Sequence, residues 1–202
     1  MHAVTGLTLA DISDLRAYER QRDAFRREVI ALKKIRRVQL GPIVTVVFES
    51  RVTVRFQVQE MARAERMATD AEVQAELDVY NSLVPAPGEL SMTVFVELVS
   101  EAELREWLPK LVGIEKSLAL RLGAGAQARR VGAVVEPSHA SQLTREEVTA
   151  SVHYVRIALD PAAAGCFGAG PAWLVSDHPH YRHEAELSPA TRASIVADWS
   201  GR

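Results

Sequence analysis

Two groups of polar side chains in this chain have the types and spacing to do chemistry. Arg51, Arg55 and Gln59 recur one helical turn apart and Arg63 continues the line, so on a helix they share one stripe. Guanidinium and amide groups in that arrangement form the forked hydrogen bonds that hold a carboxylate or phosphate. The plainer account is a solvated stripe paired with Glu49, Glu60 and acids of the next helix, as charged helix faces usually are. The second group is the stretch Asp177-His178-Pro179-His180-Tyr181-Arg182-His183-Glu184. His178, His180 and His183, with Asp177 and Glu184, offer imidazole and carboxylate to zinc, iron or manganese. Their spacing is not specific: there is no His-Glu-x-x-His, and Pro179 argues against a helix. Hydrogen bonding of Asp177 and His178 to a turn ahead of a strand is the stronger account. His153 stands among apolar neighbours with Tyr154 and Arg156 close by, and gains interest only if the fold carries it to His178.

Other familiar chemistries lack their residues. Gly123-Ala124-Gly125 follows a strand pattern, but Arg129 to Val135 reads as another strand. With no helix N-terminus to cradle a pyrophosphate, no dinucleotide site is expected. Gly165, Gly168 and Gly170 carry no Lys-Ser or Lys-Thr, so there is no P-loop, and no Gly-x-Ser-x-Gly elbow occurs. The one cysteine, Cys166, excludes an internal disulfide and any iron–sulfur cluster supplied by this chain alone.

The elements that must position these residues follow from periodicity. At 202 residues with a net charge of −2, the chain has the size of one medium domain. It has no global attraction to nucleic acid or anionic lipid. Thr8 caps a helix whose apolar stripe runs from Leu9 to Leu32. Arg20, Arg22, Arg26, Arg27, Lys33, Lys34, Arg36 and Arg37 make it the most basic region. Without a docking motif or stacking aromatics, nucleic-acid binding is not expected there. Val38 to Leu40 and Ile43 to Phe48 read as strands around Gly41-Pro42.

Val52 to Val58 alternates like a strand, whereas Val54, Val58, Met61, Ala62 and Glu65 keep helical spacing; a helix over 52–67 capped by Ser50 is expected, with a hairpin as the other option. Asp70 to Tyr80 and Ser100 to Leu111 read as helices. Met92 to Val99, Ser117 to Leu122, Arg129 to Val135, Val148 to Leu159, Ala172 to Val175 and Tyr181 to Leu187 read as strands. Glu136 to Thr144 reads as a loop and Pro161 to Cys166 as one helical turn. Ser188-Pro189 opens a last helix through Trp199. The mixed order predicts an α+β domain over 1–202, with a mixed, mainly antiparallel sheet packed by several helices. No apolar run is long enough to span a bilayer. The N-terminus carries no signal-peptide pattern, which sets the expectation of a cytoplasmic protein.

Ala31-Leu32-Lys33-Lys34, Arg36-Arg37-Val38, Gly41-Pro42 and Thr53-Val54-Arg55-Phe56-Gln57-Val58-Gln59-Glu60-Met61 resemble the bacterial family DUF3501, a domain of unknown function. Leu111-Val112-Gly113-Ile114-Glu115, Val152-His153 and Asp177-His178-Pro179-His180-Tyr181 agree with it, and the likeness runs from Leu9 to Trp199. Asp177, His178, Pro179, Tyr181 and Glu184 match the family pattern, whereas His180 and His183 do not. Ser50-Arg51-Val52 stands where the family usually has Asn-Arg-Asp. The resemblance implies an accessory or binding subunit of a redox or oxidative-stress system. A rubrerythrin-like protein and a cysteine-rich iron–sulfur oxidoreductase subunit would be its partners and hold the redox centres. The alternative is a metal-dependent or small-anion enzyme built on Arg51, Arg55, Gln59, His153 and His178. Nothing in the sequence decides for or against a homo-oligomer. The N-terminal half of the central helix is expected to pack across the sheet end carrying His153 and His178. Arg51 and Arg55 would then face Asp177 and Glu184 across a mixed-charge cleft.

Overall fold

The run Val44–Phe48 is buried at every position, which happens when a strand is covered on both faces. The computed structural model describes residues 6–136 and 148–200 and shows what covers it. Strands β1 (Arg37–Leu40), β2 (Val44–Phe48), β3 (Glu89–Val96), β6 (Val134–Val135) and β7 (Val152–Ala158) form a five-stranded sheet in the order β1-β2-β3-β7-β6. Strands β4 (Leu118–Leu122), β5 (Arg129–Gly132), β8 (Ala172–His178) and β9 (Tyr181–Glu186) form a second sheet in the order β5-β4-β8-β9. All the strand pairs are antiparallel. The fold is α+β, in two sheets.

The inner faces of the sheets share one apolar core. Val44, Val46, Phe48, Met92, Val94, Val155 and Ile157 from the first sheet join Leu118, Leu120, Leu122 and Leu174 from the second. Helices α4 (Glu101–Lys110), α5 (Pro161–Ala169) and α6 (Pro189–Trp199) follow in the chain. Phe167 of α5 and Ile195 of α6 enter this core. On the outer side of the first sheet lie α1 (Leu15–Arg36), α2 (Arg51–Ala64) and α3 (Asp70–Tyr80). A second cluster of Leu7, Val54, Val58, Leu77, Leu83 and Val84 packs there, touching the sheet at Tyr154.

Several boundaries move for physical reasons. Thr8 donates to the Asp11 carboxylate and opens only a 3-10 turn over Leu9–Asp11; α1 starts afresh with Asp14 as its cap. The expected strand 129–135 breaks at Ala133, where the chain leaves the second sheet as β5 and enters the first as β6, a corner that sandwiches use to pass between layers. Helix α2 ends at Ala64. Arg66 then takes a left-handed conformation (φ 55°) and the Met67 amide closes back on the Ala62 carbonyl at 2.9 Å. The helical turn expected at 161–166 is the longer α5, and β8 runs on to His178. β7 begins at Val152, and the loop expected over 136–144 lies, beyond Glu136, outside the described residues.

Candidate functional site

The arginine stripe exists, and its groups are spent on holding the N-terminal segment. Arg51 donates to both oxygens of Asp11 at 2.9 Å. Burial opposes ionisation of Asp11, but hydrogen bonds from Thr8 and Arg51 keep its carboxyl below the usual carboxylate value. Gln59 clasps the Ser13 backbone, accepting from its N–H and donating to its carbonyl, each at 2.9 Å. Arg55 lies over the Phe25 ring, 4.5 Å from its centre. Arg63 reaches Glu60 at 3.5 Å and Glu19 at 3.8 Å.

The histidines and carboxylates expected opposite that stripe have other partners. Asp177 pairs with Arg130 and Glu184 with Arg121, both across the second sheet. His178 is buried; its Nε2 donates to the Val112 carbonyl at 3.0 Å and its Nδ1 accepts the His180 N–H. His183 packs at a tilt against Tyr181 with ring centres 4.4 Å apart. The Tyr181 hydroxyl accepts from the Ile43 and Val44 amides and donates to the Leu40 carbonyl, which ties β9 to the β1–β2 turn. His153 points into the sandwich core and α2 packs on the opposite face of its strand, where Tyr154 points. The expected cleft is therefore not formed: one sheet separates α2 from His153, and His178 belongs to the other sheet. Among the described residues no group of three or more His, Cys, Asp or Glu side chains is placed to hold a metal ion.

What the fold does assemble is a cavity of about 180 Å³ between the outer face of the first sheet and the three helices. Thr93, Phe95, Val152 and Tyr154 form its floor; Lys33, Thr53, Val54, Gln57, Tyr80 and Leu83 come from the helical side. Thr93 and Tyr154 are register partners on β3 and β7, as are Phe95 and Val152, so alternation places all four on one face. Glu49, between β2 and α2, turns its carboxylate inward. Thr93 donates to Oε1 at 2.6 Å, and Thr53 donates to Oε2. Both threonines are buried, so the carboxylate is held in one orientation. An ionised carboxylate has about four acceptor positions, so two remain for a guest. Burial pushes the Tyr154 hydroxyl pKa up, and the neighbouring Tyr80 and Glu49 add to it. Burial likewise raises that of Tyr80, against a hydrogen bond with Gln57. The cavity thus presents one oriented carboxylate, two protonated phenols and one lysine.

A family model described as a protein of unknown function, DUF3501, matches residues 6–199. The chain belongs to the DUF3501 family. Among solved structures, this DUF3501 chain is similar to a crystal structure from Burkholderia pseudomallei K96243, described as a novel protein of unknown function. The two share 34% identity with a TM-score of 0.86, over 96% of this chain and 99% of that one. A comparison with curated proteins finds no match. Two of the motifs that carry the family likeness meet in the DUF3501 core. Glu115 and His153, both buried, approach to 3.9 Å, while His153 Nε2 lies 2.9 Å from Thr149 Oγ1. Burial pushes the imidazole toward its neutral form against the pull of Glu115.

Glu49, Thr93, Tyr80, Tyr154 and Lys33 were not singled out as one site by sequence. Glu49 stands beside the arginine stripe, where its position in the sequence suggests a counter-charge to it. The available signal was polar residues at Thr93 and Tyr154, on the strand face that a helix-covered sheet would normally make apolar.

Proposed function

We propose that this protein is a small-molecule-binding module whose site is the cavity between the first sheet and helices α1, α2 and α3. The observation that carries this is Glu49, fixed by Thr53 and Thr93 inside a partly closed pocket. Glu49 is part-buried, and withdrawing a carboxylate from water is costly unless it is paired or hydrogen-bonded; one with acceptor capacity left over is suited to a guest that donates. The volume lies below the roughly 300–1,000 Å³ of drug-sized sites, so the guest has the size of a small metabolite. The test is thermal-shift screening of the purified chain against small amines, acids, amino acids and nucleosides. At least one class should raise the melting temperature. Thr93→Val, which removes one donor to Glu49 at similar shape, should weaken that compound about tenfold. A screen with no stabilising compound, or a Thr93→Val protein that binds unchanged, refutes the proposal.

The exposed side of α1 supports a second role, as an accessory subunit. Arg16, Arg20, Arg27 and Lys34 recur along it, interrupted by Asp23, and Ile30 is 52% exposed among them. A basic ridge with an apolar centre suits an acidic protein surface. The family resemblance supplies the partners, a rubrerythrin-like protein and an iron–sulfur oxidoreductase subunit in the cytoplasm. Affinity purification at native expression should recover both. Recovery of the chain alone from lysates containing them defeats this role. For the described residues, no helix is long and apolar enough to cross a membrane.

A further inference from the structure

The cavity holds two formal charges of opposite sign that do not neutralise each other. Among the described residues the Glu49 carboxylate is engaged by threonine hydroxyls only, and Lys33 lines the same space with no ion pair to it within 4.0 Å. The Lys33 side chain has no ion-pair or hydrogen-bond partner among the described residues. Each class of guest meets these charges differently. A simple anion is repelled by Glu49 and a simple cation by Lys33, while a neutral guest brings no opposite charge to either. A molecule carrying an ammonium and a carboxylate satisfies both at once. Val54, Leu83, Phe95 and Val152 line the remainder, a surface for an apolar side chain.

We propose that the site recognises a zwitterionic amino acid with an apolar side chain. The ammonium donates to the two free acceptor positions of Glu49, beside the Tyr154 hydroxyl, and the carboxylate meets Lys33. The side chain lies among Val54, Leu83 and Phe95. Gln57 and Tyr80 are bonded to each other and close the helical wall. The proposal rests on the cavity being a binding site and adds the class of its ligand. It makes the protein a sensor or carrier of amino acids, with no bond made or broken.

The experiment is calorimetric titration of the full chain with amino acids from glycine to phenylalanine. Each is run beside its decarboxylated amine and its deaminated acid. At least one amino acid should bind, and each of its half-molecules should bind at least tenfold more weakly. Lys33→Met should abolish the preference for the amino acid over the amine, and Glu49→Gln the preference over the deaminated acid, with folding checked by circular dichroism. The comparison of whole and half molecules uses the unmodified protein, so it stands even where a variant fails to fold. An amine or an acid that binds as tightly as its parent amino acid overturns the ligand class. If none of these probes binds while another compound from the thermal-shift screen does, the class falls and the binding module survives. If neither experiment finds a ligand, both fall.

Discussion

Glu60 accepts from the Tyr18 hydroxyl at 2.6 Å and from Arg22 at 2.8 and 2.9 Å, fastening α1 to α2. The Arg22 hydrogen bond, against partial burial, lowers its pKa from 4.5 to about 2. A folded-state pKa below the unfolded one gives stability that is present above pH 4.5 and lost as pH falls toward about 2. Glu60→Gln should flatten denaturant-unfolding stability across that window and lower it at neutral pH by about 1–2 kcal/mol, after allowance for solvent screening. Arg51 and Asp11 form a half-exposed pair, so Arg51→Ala should cost less than about 1 kcal/mol. The double mutant with Asp11→Ala should be non-additive. Arg55→Ala and Asp177→Ala, whose partners are Phe25 and Arg130, should be additive, and coupling between them would restore the mixed-charge cleft. At this scale the sequence showed which groups were polar and how they were spaced, but not their partners. Arg51 and Glu49 sit two residues apart, yet one faces Asp11 and the other the sheet, because Glu49 precedes the Ser50 cap and Arg51 is the first residue of α2.

Helix α2 shows how far local pattern reaches. Its strand-like alternation from Val52 to Val58 was outweighed by Ser50, which accepts from the Thr53 amide while the Ser50 amide donates to the Thr53 hydroxyl. A threonine completes the reciprocal cap where glutamate or glutamine is usual, so a search for acids alone overlooks it. Its C-terminus was less legible, since it depends on Arg66 adopting φ 55° without a glycine. Arg66→Gly should therefore stabilise the protein by up to about 1 kcal/mol in denaturant unfolding. The turn between β1 and β2 is the opposite case. Gly41 has φ 74°, and a Cβ there would stand 2.5 Å from the His183 ring and 2.6 Å from the Tyr181 hydroxyl. Tyr181→Phe would leave the Ile43 and Val44 amides and the Leu40 carbonyl without that hydroxyl, at a cost of about 2–4 kcal/mol. The Gly41-Pro42 turn could be read from sequence; its contact with β9, some 140 residues away, could not.

Across the whole molecule, the first sheet is the common wall of two apolar clusters. Buried Arg36 links its helix to the rest, donating to Ser194 of α6 and to the Glu49 carbonyl and pairing with Asp198 at 2.8 Å. Leu77→Ala, in the outer cluster, should cost about 2–5 kcal/mol, and one coincident transition by fluorescence and circular dichroism should report it, because the wall is shared. The α+β class was legible from the order of helical and strand periods. The division into two sheets was not, because Gly132 beside the break at Ala133 is the one mark in the run, and a glycine inside a strand signals a bulge as readily as a change of sheet. Sheet order also sets a timetable for synthesis. β3 must wait for β7 as its second neighbour, and the stretch between them takes about 3–11 s to translate at ordinary ribosomal speeds. For that interval a strand that ends up interior is an open edge on the nascent chain, able to pair with other polypeptides. Chains stalled before Val152 should therefore be the ones that aggregate or recruit chaperones, and codon choice across residues 97–151 becomes a determinant of yield.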